Sequence, residues 1–336
     1  MAVDLLCLIA GIVVVALTLS DVFDTVVVPG GSRASLHVAR RLSAAMLPVW
    51  KAVRGRRRGL SAVFAPTILV GCFIIWMTLL DLGFALISWA ARSQFEPSLR
   101  SFWDGLYLVG SSLVTVGLSH IHPTGAARWV VLAAGFCGLA VMTMAVTYLL
   151  EVQSSISKRD VGIIKLNTVA GDPPSGLRLL EKYAMIGSAA ELPAVLRECR
   201  DWCATVRQSH TAHPSLIYFQ SIGTGAGWPA ALGAILDMAL IAERMLAEPH
   251  LRGPGILLRE EGTRMARELA LLLKLKPEPS PGQADQLREV AARLKQAGFK
   301  MAATDMDALA AERAEHDGCI RALADHLGKP SAVLLP

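Results

Sequence analysis

Residues 111–125 read Ser-Ser-Leu-Val-Thr-Val-Gly-Leu-Ser-His-Ile-His-Pro-Thr-Gly and lie between two strongly apolar segments. Lipid offers no hydrogen bonds, so a non-helical backbone at that depth must be buried in protein or line a wet cavity. Gly117 permits backbone angles that a side chain forbids. The Thr115 hydroxyl adds an oxygen to the carbonyls around it. His120 and His122 bring imidazoles, the side chains whose charge ordinarily changes near neutral pH.

A second set of chemistry-bearing residues lies further on. Cys199 and Cys203 are one helical turn apart, and His210 and His213 follow. Two thiolates and two imidazoles suffice for a tetrahedral zinc site, but this spacing is not that of a finger, and core packing of the cysteines is the preferred reading. The run Gly223-Thr224-Gly225-Ala226-Gly227 could cradle a phosphate at a helix start. No strand precedes it and no lysine follows, so a plain helix connection is the competing reading. Asp237 falls in an apolar run and invites a buried arginine partner. No Ser-His-Asp or paired-carboxylate arrangement points to catalysis, and the chain reads as a non-enzyme.

Composition defines what must position these groups. Of 336 residues, 53% are hydrophobic and only 18% charged, too apolar a balance for an ordinary soluble protein. The apolar content is concentrated before residue 152. A first span runs over Leu5–Val28, and its uncharged start reads as a retained helix rather than a signal peptide. Asp21 and Asp24 near its inner end are expected to reach the interface or to pair with neighbouring arginines. The second span covers 64–91 and carries Asp81, which must face another helix or a crevice. The third covers 129–150. In it Gly135 and Gly138 let helices approach closely or let the helix bend as a gating hinge.

No acidic residue occurs between Asp24 and Asp81, whereas Arg33, Arg40, Arg41, Lys51, Arg54, Arg56, Arg57 and Arg58 fall there. Between two spans this marks a cytoplasmic loop held against anionic lipids rather than a nucleic-acid site. Apolar residues at helical spacing over 34–55 predict an interfacial helix, kinked at Pro48. With Lys158 and Arg159 also inside, the amino terminus and the 93–127 loop lie outside, and everything after 152 is cytoplasmic. The six cysteines form no extracellular framework and read as reduced thiols.

The order of segments is informative. A span is followed by a short helix opening with Phe102-Trp103-Asp104, then Ser112, Thr115-Val116-Gly117, a Pro123-Thr124-Gly125 turn and another span. This resembles the pore helix and selectivity filter of the tetrameric potassium channel family, whose filter reads Thr-Val-Gly-Tyr-Gly-Asp. The resemblance implies that backbone carbonyls replace the ion's hydration shell, and that four copies enclose the ion as a homotetramer. Here the six positions read Thr115-Val116-Gly117-Leu118-Ser119-His120, so the inner half matches and the outer half departs. The bracing aromatic becomes Leu118. Ser119 replaces a glycine at a left-handed position, and His120 replaces the acidic residue at the mouth.

The sequence together with this resemblance predicts an all-α membrane protein. It has three transmembrane helices, a re-entrant pore helix with filter loop, and a cytoplasmic helical bundle. The expected divisions are 1–32 for the first helix, 33–60 for the basic linker, 61–152 for the pore domain and 153–336 for the cytoplasmic domain. Helices there are expected near 176–186, 189–208, 229–247, 255–274, 283–297 and 304–327. Pro173 and Pro174 would sit at the first turn of the first of these, and Pro277–Gly282 forms a linker. The tail, through Ser209-His210, His213-Pro214, Tyr218-Phe219 and Trp228–Asp237, is similar to that of a bacterial group of three-span, channel-like proteins, as is the Asp21 region.

These resemblances imply a bacterial inner-membrane channel for monovalent cations. Thr115, Val116, Gly117, Leu118 and Ser119 are its filter, His120 and His122 its outer vestibule, and potassium or another monovalent cation the bound ion, with no other cofactor. A cytoplasmic ligand or protein partner would act on the tail. A non-conducting sensor or scaffold reusing the fold is the alternative, and an anion-permeable pore a third reading.

Overall fold

The computed structural model describes residues 2–28, 36, 38–53, 58–221, 225–280 and 283–336. The chain divides into two units, Met1–Val152 and Gln153–Pro336. Each is built almost wholly of helices, as its runs of apolar residues three and four apart require.

In the first unit α1 spans Ala2–Val26, α2 Val38–Val53, α3 Arg58–Ala90 and α4 Phe102–Leu113, and α5, Ala127–Ala170, begins there and ends in the second. The helices Ala2–Val26, Phe64–Ala90 and Ala127–Ala170 are long and apolar enough to cross a membrane. With no membrane-facing alternative for their backbone, helices are what such segments must form.

Helices α1 and α3 pack closely because two glycines meet. A Cβ on Gly11 would lie 2.6 Å from the Gly83 carbonyl oxygen, and one on Gly83 would lie 2.8 Å from Val15 Cγ2. Arg92, just past α3, pairs with Asp4 and stacks 5.5 Å from the Trp89 ring. Asp21 departs from expectation. It is fully buried rather than interfacial, and its partners among the described residues are not arginines. Its Oδ2 accepts the Trp76 indole N–H at 2.8 Å, and both carboxylate oxygens accept the Val38 amide at 3.3–3.4 Å. A carboxylate at the start of α2 compensates its unsatisfied amides.

Helix α2 includes Pro48, and its N-terminal boundary lies four residues later than expected. Arg33, Arg54, Arg56 and Arg57 lie outside the described residues. Helix α5 continues without a break to Ala170, twenty residues past the expected end of the third span. Hydropathy falls there, but the helical periodicity does not.

In the second unit α6 spans Gly176–Met185, α7 Leu192–Ala212, α8 Gly227–Arg244, α9 Pro249–Leu272, α10 Ala284–Gln296 and α11 Met306–Leu327. Helix α8 is the core: every residue from Gly227 to Ala242 is buried. A helix apolar all round must be surrounded, and α6, α7, α9 and α11 all pack on it. Gly176 makes the closest of these approaches, since a Cβ there would lie 2.6 Å from the Ala234 carbonyl oxygen. Glu181 joins α6 to α10 through a two-pronged pair with Arg293 at 2.6–2.7 Å.

Two local expectations are corrected. Pro173 and Pro174 precede α6, whose cap is Ser175, its Oγ accepting the Arg178 amide. Helix α9 begins at Pro249 and holds Pro254 in its interior, so that proline does not mark a boundary. Pro254 is the sixth residue of the helix, past the first turn, so its missing N–H forgoes one i→i−4 bond.

Candidate functional site

The pore loop is assembled by short-range devices. Ser101 caps α4: its Oγ accepts the Asp104 amide at 3.2 Å, and Asp104 Oδ2 accepts the Ser101 amide at 2.9 Å. This reciprocal box fixes the helix start. The Ser101 amide, with a smaller contribution from His120, holds the Asp104 carboxyl below the usual carboxylate range. On the return side β1 (Phe95–Glu96) pairs with β2 (His122–Pro123) antiparallel, Phe95 opposite Pro123. The Gln94 carbonyl accepts both the amide and the hydroxyl of Thr124, at 2.8 and 2.9 Å. Phe95, Leu99, Leu108, Ile121 and Ala127 fill the space beneath.

Helix α4 packs along α3, and its carboxy-terminal end touches α5. A Cβ on Gly110 would lie 3.1 Å from Asp81 Oδ1. That oxygen is buried and, among the described residues, makes no hydrogen bond. On the other side a Cβ on Gly138 would lie 1.9 Å from the Leu113 carbonyl oxygen, and one on Gly135 would lie 3.3 Å from that of Ser112. Both glycines are therefore contact points for the end of α4, within an unbroken helix.

Beyond α4 the chain leaves helical geometry at Thr115. Its φ is +60°, Val116 has an ordinary φ, and Gly117 returns to +67°. A left-handed angle on a β-branched residue is rare and costs on the order of 1–2 kcal/mol. Alternating the sign of φ turns successive carbonyls toward one side. The amides go the other way: those of Val116 and Gly117 both donate to the Ser111 carbonyl, at 2.8 and 3.0 Å, and that of Thr115 donates to Ser112 at 2.9 Å. Among the described residues, no carbonyl of Thr115, Val116 or Gly117 accepts a hydrogen bond. Nothing lies within 4 Å of where a Gly117 Cβ would be, and Val116 and Leu118 are 57% and 61% exposed. The three carbonyl oxygens thus lie unsatisfied beside an open face.

The alternation ends there. Ser119 has no positive φ, and its Oγ instead accepts the Ile121 amide at 3.1 Å. His120 and His122 are exposed beyond it. The expected filter residues are thus brought into one strand, of which only Thr115–Gly117 has the alternating form. Asp81 and the Ser111 carbonyl are the components least visible in the sequence. A carboxylate in a span suggests the first; a backbone oxygen carries no sequence signal.

The cysteines and histidines of the second unit are not gathered. Among the described residues no three metal-ligating side chains cluster. Burial pushes the Cys199 thiol up to about 12 and raises Cys203 well above its ordinary value, the reverse of a thiolate ligand. His210 is buried against Trp228, ring centres 5.8 Å apart, and burial followed by the Arg159 charge brings it down to about 3. The glycine loop at the start of α8 has its own anion: Asp172 accepts the Gly225 and Ala226 amides at 2.8 and 3.2 Å. Gly223 and Thr224 lie outside the described residues. Asp237 does meet an arginine, accepting from Arg313 at 2.8 and 2.9 Å and contacting His316 at 3.1 Å.

A span, a capped half-length helix, a strand with free carbonyls and a second span define a pore-loop channel domain. Residues 66–154 match the family described as "Ion channel", so this segment is a channel-family pore domain of a multi-pass membrane protein. Protein LctB of Bacillus caldotenax is 32% identical over 81 residues, 24% of this chain and 60% of that protein. Protein LctB of Geobacillus stearothermophilus is 31% identical over 81 residues, with the same shares. The chain spans about 60% of the length of these curated relatives. No solved structure matches the chain.

Proposed function

We propose that this chain is the subunit of a homotetrameric passive channel for monovalent cations. The observation that carries the reading is the alternation of φ over Thr115, Val116 and Gly117 with their carbonyls free. Four such strands facing one axis would surround an ion with carbonyl rings, to which the Thr115 hydroxyls add. Because the alternation stops before Ser119, the outer rings are lost, and weak selectivity follows. Leu118 shapes the degraded outer segment, while His120 and His122 form the vestibule in place of carboxylates.

The protein would lie in a bacterial inner membrane with its amino terminus outside and residues 153–336 in the cytoplasm. The basic linker would rest on anionic lipid. A cytoplasmic ligand or partner would act through α5 if it binds open and closed states unequally. Gly135 and Gly138 would be the places where that helix yields.

The same loss of alternation at Ser119 supports a second reading, a non-conducting sensor or scaffold with a collapsed outer filter. Ion flux through the purified protein in liposomes separates the two. Potassium, sodium and chloride would be compared at about pH 7.5 and about pH 5.5, on either side of ordinary imidazole titration. Cation flux that falls in acid is expected; a verified tetramer without flux under any condition would favour the scaffold.

A further inference from the structure

Helix α5 outlasts the matched pore domain. The family match ends at residue 154, but the helix runs to Ala170. Over this distal stretch, Ile156, Ile163 and Leu166 bury one side of the helix in its own unit. Nearly opposite lie Ser154, Ser157, Val161, Ile164 and Thr168, all exposed. Their spacing alternates three and four, and none is charged. Lys158 and Lys165 flank the stripe instead, and Lys165 is turned to Glu198 at 2.6 Å. Val161 and Ile164 are 49% and 48% exposed, two half-exposed β-branched apolar side chains one turn apart.

We infer that this stripe is a self-association seam, and that its occupant is the same stripe on other copies of this chain. The inference rests on the channel reading above and extends it beyond the matched domain. Three-four spacing of apolar residues is the pattern by which parallel helices supercoil with knobs set into holes, and Val161 and Ile164 are the apolar pair at that spacing here. The filter strand is open on one side and needs copies of itself around an axis. Every copy's α5 continues covalently from that arrangement in the same direction, so equivalent residues meet at equivalent heights. A heterologous partner would have no reason to match that register. Ser154 and Ser157 keep the upper end of the seam polar, and Val161 and Ile164 close the lower end as an apolar collar.

The test introduces Val161→Cys or Ile164→Cys into the full-length chain in native membranes and oxidises it. The parent chain, with its six cysteines, gives the baseline, and Asp201→Cys on exposed α7 gives the random-collision control. Disulfide-linked dimers well above both are expected. In parallel, the double variant Val161→Asp with Ile164→Asp should weaken subunit association in detergent by at least about tenfold, with helix content unchanged. A chain that is tetrameric by light scattering, yet shows no cross-linking above the control and no loss of association in the double variant, overturns the seam and leaves the channel reading intact. A monomeric parent chain overturns both.

Discussion

Gly138 and Leu113 meet backbone to backbone, so closely that a Cβ on the glycine would sit 1.9 Å from the leucine carbonyl oxygen. Leu113 is the last residue of α4, two residues before the filter strand begins. The position of the filter relative to α5 is therefore set by a hydrogen atom.

Gly138→Ala must push α4 away from α5, at a cost of about 1–3 kcal/mol or more. Flux is expected to fall by at least about tenfold. Gly135→Ala meets the Ser112 oxygen at 3.3 Å and should change flux and thermal midpoint far less. Equal effects of the two would show that a bending helix, rather than the contact, is what the glycines supply.

Restoring Leu118→Tyr, Ser119→Gly and His120→Asp together returns the left-handed position and the outer acidic group. Potassium selectivity over sodium should rise by about tenfold, equivalent to about 1.4 kcal/mol. Bi-ionic reversal potentials or liposome flux would read it. Ser119→Gly alone should give a smaller gain, because the strand regains its freedom without the brace.

In the proposed channel, His120 and His122 put imidazoles at the mouth where carboxylates would attract cations. His120→Gln combined with His122→Gln should flatten the fall of cation flux in acid while leaving neutral flux within about twofold. Persistence of the full acid inhibition would place its origin elsewhere in the chain.

Burial opposes the ionised form of Asp237, but Arg313 and His316 outweigh it and hold the carboxyl at about 2. That lies below the unfolded value of about 3.9. Its stabilisation is complete above about pH 4 and is lost as pH falls toward about 2. Asp237→Asn should cost about 3 kcal/mol, because Arg313 keeps only Gln283 at 2.9 Å and the longer Asp317 pair at 3.7 Å, whereas Asp237→Leu with Arg313→Met should recover most of it. Tryptophan-monitored unfolding of the full chain in urea measures both.

His210 gives a second acid step. Its folded value of about 3 lies below the unfolded one of about 6.5. Below about pH 6.5 the unfolded chain binds the proton first, so stability declines until about pH 3. His210→Gln should flatten the thermal midpoint across that interval.

Much of this architecture is legible in the sequence because it depends on spacing. The spans and the Asp237–arginine pair follow from periodicity and the cost of a buried charge, and the Phe102 helix start and the Thr115-Val116-Gly117 segment from the resemblance to a channel family. The environment of Asp21 is not legible, because its partners are an indole in α3 and a backbone amide in α2, neither of which is marked by charge. The length of α5 is hidden for a related reason. Hydropathy reports where lipid ends, whereas the hydrogen-bond ladder continues wherever one face finds something to pack on. The two cysteines and two histidines at 199–213 suggest a metal, but Cys203 and His210 are seven residues, about 10 Å, apart along α7, and among the described residues no three ligands gather.

The Asp21–Trp76 bond has a bearing on how this architecture can be dissected. The matched channel segment starts at residue 66, which would make the first helix look like an optional addition. Yet Trp76 lies inside that segment, and its indole N–H is answered by a carboxylate brought from outside it. A minimal pore cut from residue 61 onward would carry an orphaned indole donor and a glycine-lined groove at Gly83 facing lipid. The leading helix is thus a keystone of the pore scaffold rather than a tether, and a chain lacking it is not expected to inherit the parent's conformation.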